Sequence, residues 1–224
     1  MGTGRGTGRI KLDMHLHTRG SFDCLTDPGE LVARAQTCGL DRICITDHND
    51  VAVALQLASE YPEYIIVGEE VKTAERVDII GLFMSEKIPA GTPARETCER
   101  IRAQGGIVYV PHPFAGGKGG GGAILDSIVE LIDALEGFNA RVHDPALNER
   151  AVSWAVERGI PTGAGSDAHT LREVGRAWAD MPPFEGAAEF TSALRSATIH
   201  GSTSSRLVHL ASTWAKVQKG LARR

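Results

Sequence analysis

Short apolar runs bounded by turn residues recur along the chain, at Ile10–His15, Arg42–Thr46, Tyr64–Gly68, Val77–Phe83, Gly106–Val110, Ala134–Phe138 and Pro161–Gly165. Their length and their Ile and Val content predict strands. Between most of them the spacing predicts helices, over Pro28–Cys38, Val51–Glu60, Pro93–Gln104, Ile124–Ile132 and Pro145–Arg158. Asp27-Pro28 and Asp144-Pro145 are start signals, an Asp cap followed by Pro at the first helical position. Gly39, Gly105 and Gly159 fall where three of these helices should stop. Strand and helix in alternation predict an α/β protein with a largely parallel sheet and helices outside it. Seven strands suit a closed or nearly closed barrel, and a doubly wound open sheet is the alternative.

The rest of the chain adds less. Residues 1–9 are rich in Gly, Thr and Arg and are expected to be disordered. Residues 10–224 are expected to form one domain, with a helical C-terminal region over about 186–224. The glycine-rich stretch from Ala115 to Gly122 should carry no fixed secondary structure. Ser204–Arg224 reads as a helix capped by Ser204 or Ser205, with five basic residues and no acid. A docking helix with a solvated basic face is the expectation there.

Charge narrows the partners. The chain has 224 residues, 42% hydrophobic and 23% charged, with a net charge of -4. That mild acidity gives no global attraction to nucleic acid or to an anionic membrane. The four cysteines, Cys24, Cys38, Cys44 and Cys98, form no C-x-x-C pair. Free thiols and an N-terminus without an apolar core predict a cytoplasmic protein, and no apolar run is long enough to span a bilayer.

The informative feature is the position of the histidines. His15 and His17 end the first strand as His-x-His, so both rings share one face. His48 follows the second strand, Glu69 and Glu70 the third, His112 the fifth, and Asp167 and His169 the last. In a parallel α/β barrel the strand C-termini share one mouth, where active sites are built. Carboxylates gathered there repel one another, and divalent cations relieve that. Imidazole with carboxylate is a ligand set for Zn, Mn or Fe. The donors outnumber what one tetrahedral ion needs, so two or three ions are expected.

The motifs Asp-Met-His-Leu-His-Thr (13–18), Ile-Thr-Asp-His-Asn (45–49), Gly-Glu-Glu (68–70), Pro-His-Pro-Phe (111–114) and Gly-Ser-Asp-Ala-His (165–169) resemble the PHP family. This is the polymerase and histidinol phosphatase superfamily of metal-dependent phosphoesterases. Residues 136–141 and 173–177 support the resemblance, which covers about residues 10–185. It implies a distorted seven-stranded (β/α) TIM-like barrel with the metal site at the C-terminal ends of the strands. It also implies a ligand set: His15 and His17 with Glu70 and Asp167 for one ion, His112 for a second bridged by Glu70, and Asp23, His48 and His169 for a third. Glu70 is preferred to Glu69 as the bridge, and Asp23 to Asp27, whose helix-cap reading is stronger. Where similar members carry a His before Ile-Leu-Gly, this chain has Asp78, which is taken as a ligand of the second ion.

On that reading a metal-activated hydroxide attacks the phosphorus of a phosphomonoester or phosphodiester at a di- or trinuclear site. His48, His169 or a metal-bound water would protonate the leaving group, and Asp13 and Asp47 would orient imidazoles or else cap turns. Arg141 is the first choice for gripping phosphate, ahead of Arg19 and Arg172, and Lys118 could reach it from the glycine-rich loop. His143, His200 and His209 read as ordinary surface residues. The expected partner is a small phosphorylated substrate: a nucleotide, a sugar or amino-alcohol phosphate, or a short oligonucleotide end. The alternatives are an amidohydrolase-type C–N hydrolase and a non-catalytic, metal-stabilised binding module.

Overall fold

The computed structural model describes residues 8–115 and 122–222. Most of residues 1–9 and of the glycine-rich stretch, with Lys118, lie outside the described residues, so the expectations placed on them do too. Within the described residues nine strands form one sheet: β1 Ile10–Leu16, β2 Arg42–Ile45, β3 Ile65–Lys72, β4 Asp78–Leu82, β5 Ile107–Val110, β6 Ala134–Asn139, β7 Thr162–Gly165, β8 Ala177–Met181 and β9 Thr198–Gly201. The helices are α1 Pro28–Thr37, α2 Ala52–Glu60, α3 Ala94–Ala103, α4 Gly122–Ile128, α5 Pro145–Glu157, α6 Gly186–Leu194 and α7 Val208–Ala222.

The strand order is β7-β6-β5-β4-β3-β2-β1-β8-β9. Pairing is parallel in β1–β2–β3 and in β5–β6–β7, whereas β4 runs antiparallel to both of its neighbours. The sheet curls until its β7 side meets β1. There Asp167 N–H donates to the His15 carbonyl at 2.8 Å, and His17 N–H donates to the Ala168 carbonyl at 3.0 Å. The result is a nearly closed barrel, as the resemblance implied.

All seven predicted strands are present. The third runs on to Lys72, so Glu69 and Glu70 lie inside it rather than after it. Two strands are additional. β8 is antiparallel to β1, and β9 pairs antiparallel with β8 at the edge of the sheet. The region after residue 186 is therefore not all helical. A four-residue, mostly exposed strand such as β9 has no buried face to mark it by alternation.

Local chemistry sets the helix ends. Asp27 accepts from Gly29 N and Glu30 N at the start of α1, and Asp144 accepts from Ala146 N at the start of α5, each followed by Pro. Gly39, Gly105 and Gly159 take the left-handed conformation just past α1, α3 and α5, with φ of 73°, 74° and 66°. Apolar packing fixes the layers. Leu31, Val32 and Leu57 of α1 and α2 cover Ile43 and Ile45 of β2, and Cys98 and Ile101 of α3 cover Ile79 and Val108. Among the described residues no helix is long and apolar enough to cross a membrane.

Candidate metal centre

The histidines and carboxylates singled out in the sequence come together at the strand C-termini. Three groups of donors each have their ligand atoms within 4.8 Å of one another: His15, His17 and Asp167; His15, Glu70 and His112; and His17, His48 and His169. Glu70 ties the groups together. Its Oε2 lies 3.3 Å from Nε2 of His15, 3.3 Å from Nε2 of His17 and 3.1 Å from Nδ1 of His48. Its Oε1 lies 3.2 Å from Nε2 of His112. Asp23 joins the third group, its Oδ1 3.3 Å from Nε2 of His169 and 3.6 Å from Nε2 of His48. Asp27 stays outside, as a helix cap paired with Arg19.

Alternation along β3 separates the two glutamates. Glu70 turns to the cluster, while Glu69 accepts from Ile88 N at 2.8 Å on the other face. Asp78 lies at the pocket wall but outside the three groups. Its Oδ2 is 3.1 Å from Nζ of Lys72, the residue opposite it in the β3–β4 register. His112 and Asp167 sit at positive φ, 27° and 51°, a strained backbone of the kind concentrated at functional sites.

The residues that aim the rings were not legible as ligands. Glu136 of β6 is fully buried. Its Oε1 lies 3.1 Å from Nδ1 of His15, and its Oε2 accepts from His112 N at 2.8 Å and from Asn139 Nδ2 at 2.9 Å. This leaves His15 Nε2 facing the cluster, the usual role of a carboxylate behind a ligating histidine. Ser21 does the same for His17, with Oγ 3.0 Å from Nδ1, and donates in turn to Asp47 Oδ1 at 2.7 Å. Asp47 thus acts through Ser21, and Asp13 accepts from the backbone N–H of His15 and Ser166. Neither contacts an imidazole as the sequence reading had it.

The electrostatics of this set call for cations. Burial disfavours charge on His15, but Glu136, Glu70 and Asp167 overcome it and hold the ring well above its ordinary value. Burial also opposes charge on His48, and Glu70 and Asp23 push it up to about 9. His17 goes the other way, down to about 3, through burial and the neighbouring His169 and His48. Burial works to raise Glu70, but His48 and His15 hold it well below its ordinary range. His15 Nε2 and His17 Nε2 face each other at 3.0 Å. Asp23 Oδ1, Glu70 Oε1 and His112 Nδ1 are buried without a hydrogen-bond partner among the described residues. Nitrogen lone pairs aimed at one another beside orphaned carboxylate oxygens fit shared divalent ions, which satisfy all of them at once.

The cluster opens into a pocket of about 360 Å³ lined by His48, Lys72, Arg141, His209, Thr213 and Lys216, among others. Arg141 is buried and held in a fork by Glu173, Nε to Oε1 at 2.6 Å and Nη2 to Oε2 at 3.0 Å. Arg19 and Arg172 do not line this pocket. A larger concavity of about 1040 Å³, beside Arg42 and Phe184, has no histidine in its wall.

Helix α7 departs from expectation. Its basic residues turn toward the barrel: Lys216 Nζ lies 3.7 Å from Asp23 Oδ2, and Lys219 donates to the carbonyls of Arg19 and Ser21. His143 and His209 face each other, Nε2 to Nε2 at 2.9 Å, and His200 stacks on Trp178, so none of the three is a plain surface residue.

Family models match residues 13–109 as a PHP domain and residues 145–199 as PHP-associated, together more than half of the chain. The chain belongs to the PHP family. A protein of Methanocaldococcus jannaschii is 33% identical over 162 residues, covering 66% of this chain and 92% of its own length. Two solved PHP-like folds align well at low identity. One, from Bifidobacterium adolescentis and assigned as a metal-dependent phosphoesterase, has a TM-score of 0.59 at 17% identity, covering 73% of this chain and 88% of that one. The other is a lesion-specific endonuclease of Pyrococcus furiosus, with a TM-score of 0.64 at 17% identity, covering 85% of this chain and 57% of that one.

Proposed function

We propose that this PHP protein is a metal-dependent phosphoesterase acting on a small phosphorylated substrate. The observation that carries the reading is the convergence of three donor groups on Glu70, beside a pocket walled by Arg141, Lys72 and Lys216. His15, His17, Asp167 and Glu70 would hold one ion, Glu70 and His112 a second, and Asp23, His48 and His169 a third. Asp78 is the remaining candidate for the second. Such ions polarise a phosphoryl oxygen and lower the pKa of water, the two requirements of phosphate-ester hydrolysis.

The chain's own residues supply the rest. Glu136 and Ser21 fix the rings of His15 and His17 from behind. Glu173 fixes the guanidinium plane of Arg141 at the wall, and Lys216 stands half-exposed across the mouth. Both are suited to phosphate oxygens. Where the third ion is not bound, His48 or His169, which line the pocket beside Asp23, would be the proton donor to the leaving alkoxide. A volume of about 360 Å³ lies at the low end of small-molecule sites and suits a nucleotide or sugar phosphate better than a polymer.

The test is metal analysis of the purified protein together with phosphate release from phosphomonoesters, nucleotides and a short oligonucleotide, with and without Mn²⁺. Turnover that requires metal and is lost in His15→Ala and Asp167→Ala is expected. Bound metal without turnover on any substrate of the panel would overturn the reading. In the same samples, a metal count lowered by Asp78→Ala would make Asp78 a ligand, and an unchanged count would leave it to Lys72.

A further inference from the structure

Helix α7 is amphipathic in the reverse of the usual sense. Its polar face docks on the barrel, where Ser212 accepts from Arg141 Nη2 at 3.0 Å and Lys216 and Lys219 reach Asp23, Arg19 and Ser21. Its outward face carries Leu207 just before the helix, then Leu210, Trp214, Val217 and Leu221, each between 49% and 71% exposed. These positions are spaced three, four, three and four residues apart, the alternation that brings apolar side chains into one seam of a paired helix. The positions flanking the seam are Arg206, Ala211, Thr213, Gln218 and Gly220, of which only Arg206, at its start, is charged.

We propose that this seam is a dimer interface in which α7 pairs antiparallel with α7 of a second copy of the chain. Three observations select that occupant. From Leu210 to Leu221 the positions flanking the seam carry no charge, so along that stretch the seam neither repels an identical helix nor attracts an acidic partner. In an antiparallel pair Trp214 meets its own counterpart on the two-fold axis, Leu210 meets Val217, and Leu207 meets Leu221. The seam is thus complementary to itself, as a two-fold interface requires. The area is also right. With Leu25, 48% exposed beside the N-terminal end of α7, the seam presents on the order of 700 Å² of side chain, near the roughly 800 Å² per partner of a standard interface. An adjoining apolar groove of about 670 Å³, lined by Leu25, Leu171, Leu207 and Trp214, would receive Leu221 of the second copy. Because the other face of α7 supplies Thr213 and Lys216 to the metal pocket, pairing would hold that wall in place.

The test is light scattering and sedimentation equilibrium of the full chain from about 1 to 100 µM. A dimer is expected, with Leu210→Glu and Trp214→Glu each raising its dissociation constant at least about 100-fold while the circular dichroism stays native. Should either variant fail to fold, cysteine pairing replaces it. Trp214→Cys should oxidise to a disulfide-linked dimer, and Leu207→Cys should link to Leu221→Cys but not to itself, with the unsubstituted chain as blank. A monomer at every concentration, or a dimer indifferent to both glutamates and to the cysteine pattern, would overturn the proposal. So would a monomer that co-sediments with vesicles containing anionic lipid, which would make the seam a membrane-facing surface.

Discussion

Glu136 offers the sharpest test of how the centre is held. Its carboxylate is fully buried and meets His15 Nδ1 with one oxygen and two N–H groups, from His112 and Asn139, with the other. Glu136→Gln keeps the shape but leaves one oxygen and one NH₂. With the oxygen kept on the two donors, the amide NH₂ must donate to His15 Nδ1. That ring then carries its proton on Nε2 and loses the lone pair that faces Glu70 and Asp167. The opposite orientation sets NH₂ against two donors and forfeits two buried hydrogen bonds, the worse outcome. The first orientation wins, at the expense of ligation. Loss of such a carboxylate typically weakens metal binding about 10- to 100-fold, roughly 1.4–2.7 kcal/mol. Competition of Mn²⁺ or Zn²⁺ against a chelating dye measures this, with a thermal melt to show that the variant folds. A folded variant whose affinity lies within about twofold of the parent would refute the assignment of Glu136 to the His15 tautomer.

Two further outcomes follow from the same geometry. A Cβ at Gly165 would stand 2.3 Å from both Glu136 Oε1 and His15 Cβ. Gly165→Ala should therefore cost about 3 kcal/mol and about 6–12 °C in Tm, with reduced metal content; parental values of both would refute the close approach. His15 and His48 are held above their ordinary pKa, His48 at about 9, so an ion must displace their protons. Apparent metal affinity should rise with pH from about 6 to about 9, with proton release seen by calorimetry in buffers of differing ionisation enthalpy, and a flat profile would contradict it.

Much of this was written in the chain's local pattern. The strands could be read because buried parallel strands are short apolar runs, and the clustering histidines and carboxylates could be read because most stand at or near the end of such a run. Period-two alternation explains why Glu70 and not Glu69 enters the site, and the Asp-Pro signal explains why Asp27 caps a helix and leaves the site to Asp23. What stayed hidden depends on tertiary neighbours. Glu136 sits among apolar and small residues on β6, and only the approach of β1 gives it His15. Lys72 meets Asp78 through the register of an antiparallel hairpin that a β/α pattern does not announce. Residues 208–222 showed basic residues and apolar residues alike. Which of them faced solvent depended on Asp23 and the carbonyls of Arg19 and Ser21, which captured the lysines.

The β7 margin of the curled sheet closes onto β1, and the hydrogen bonds that join them run through His15, His17, Asp167 and Ala168. The residues that sew the sheet into a hoop are thus largely the ones that form the candidate metal centre. Each is constrained twice, once by its side chain for chemistry and once by its backbone for closure. A lineage that abandoned the reaction could replace the imidazoles and keep the seam, since the closing bonds are main-chain bonds. Insertions or deletions there are a different matter, because shifting the register on either side of that closure would undo the hoop and scatter the clustered side chains together. Divergence within such a barrel is therefore channelled away from the seam and into the segments that wall the pocket, α7 among them.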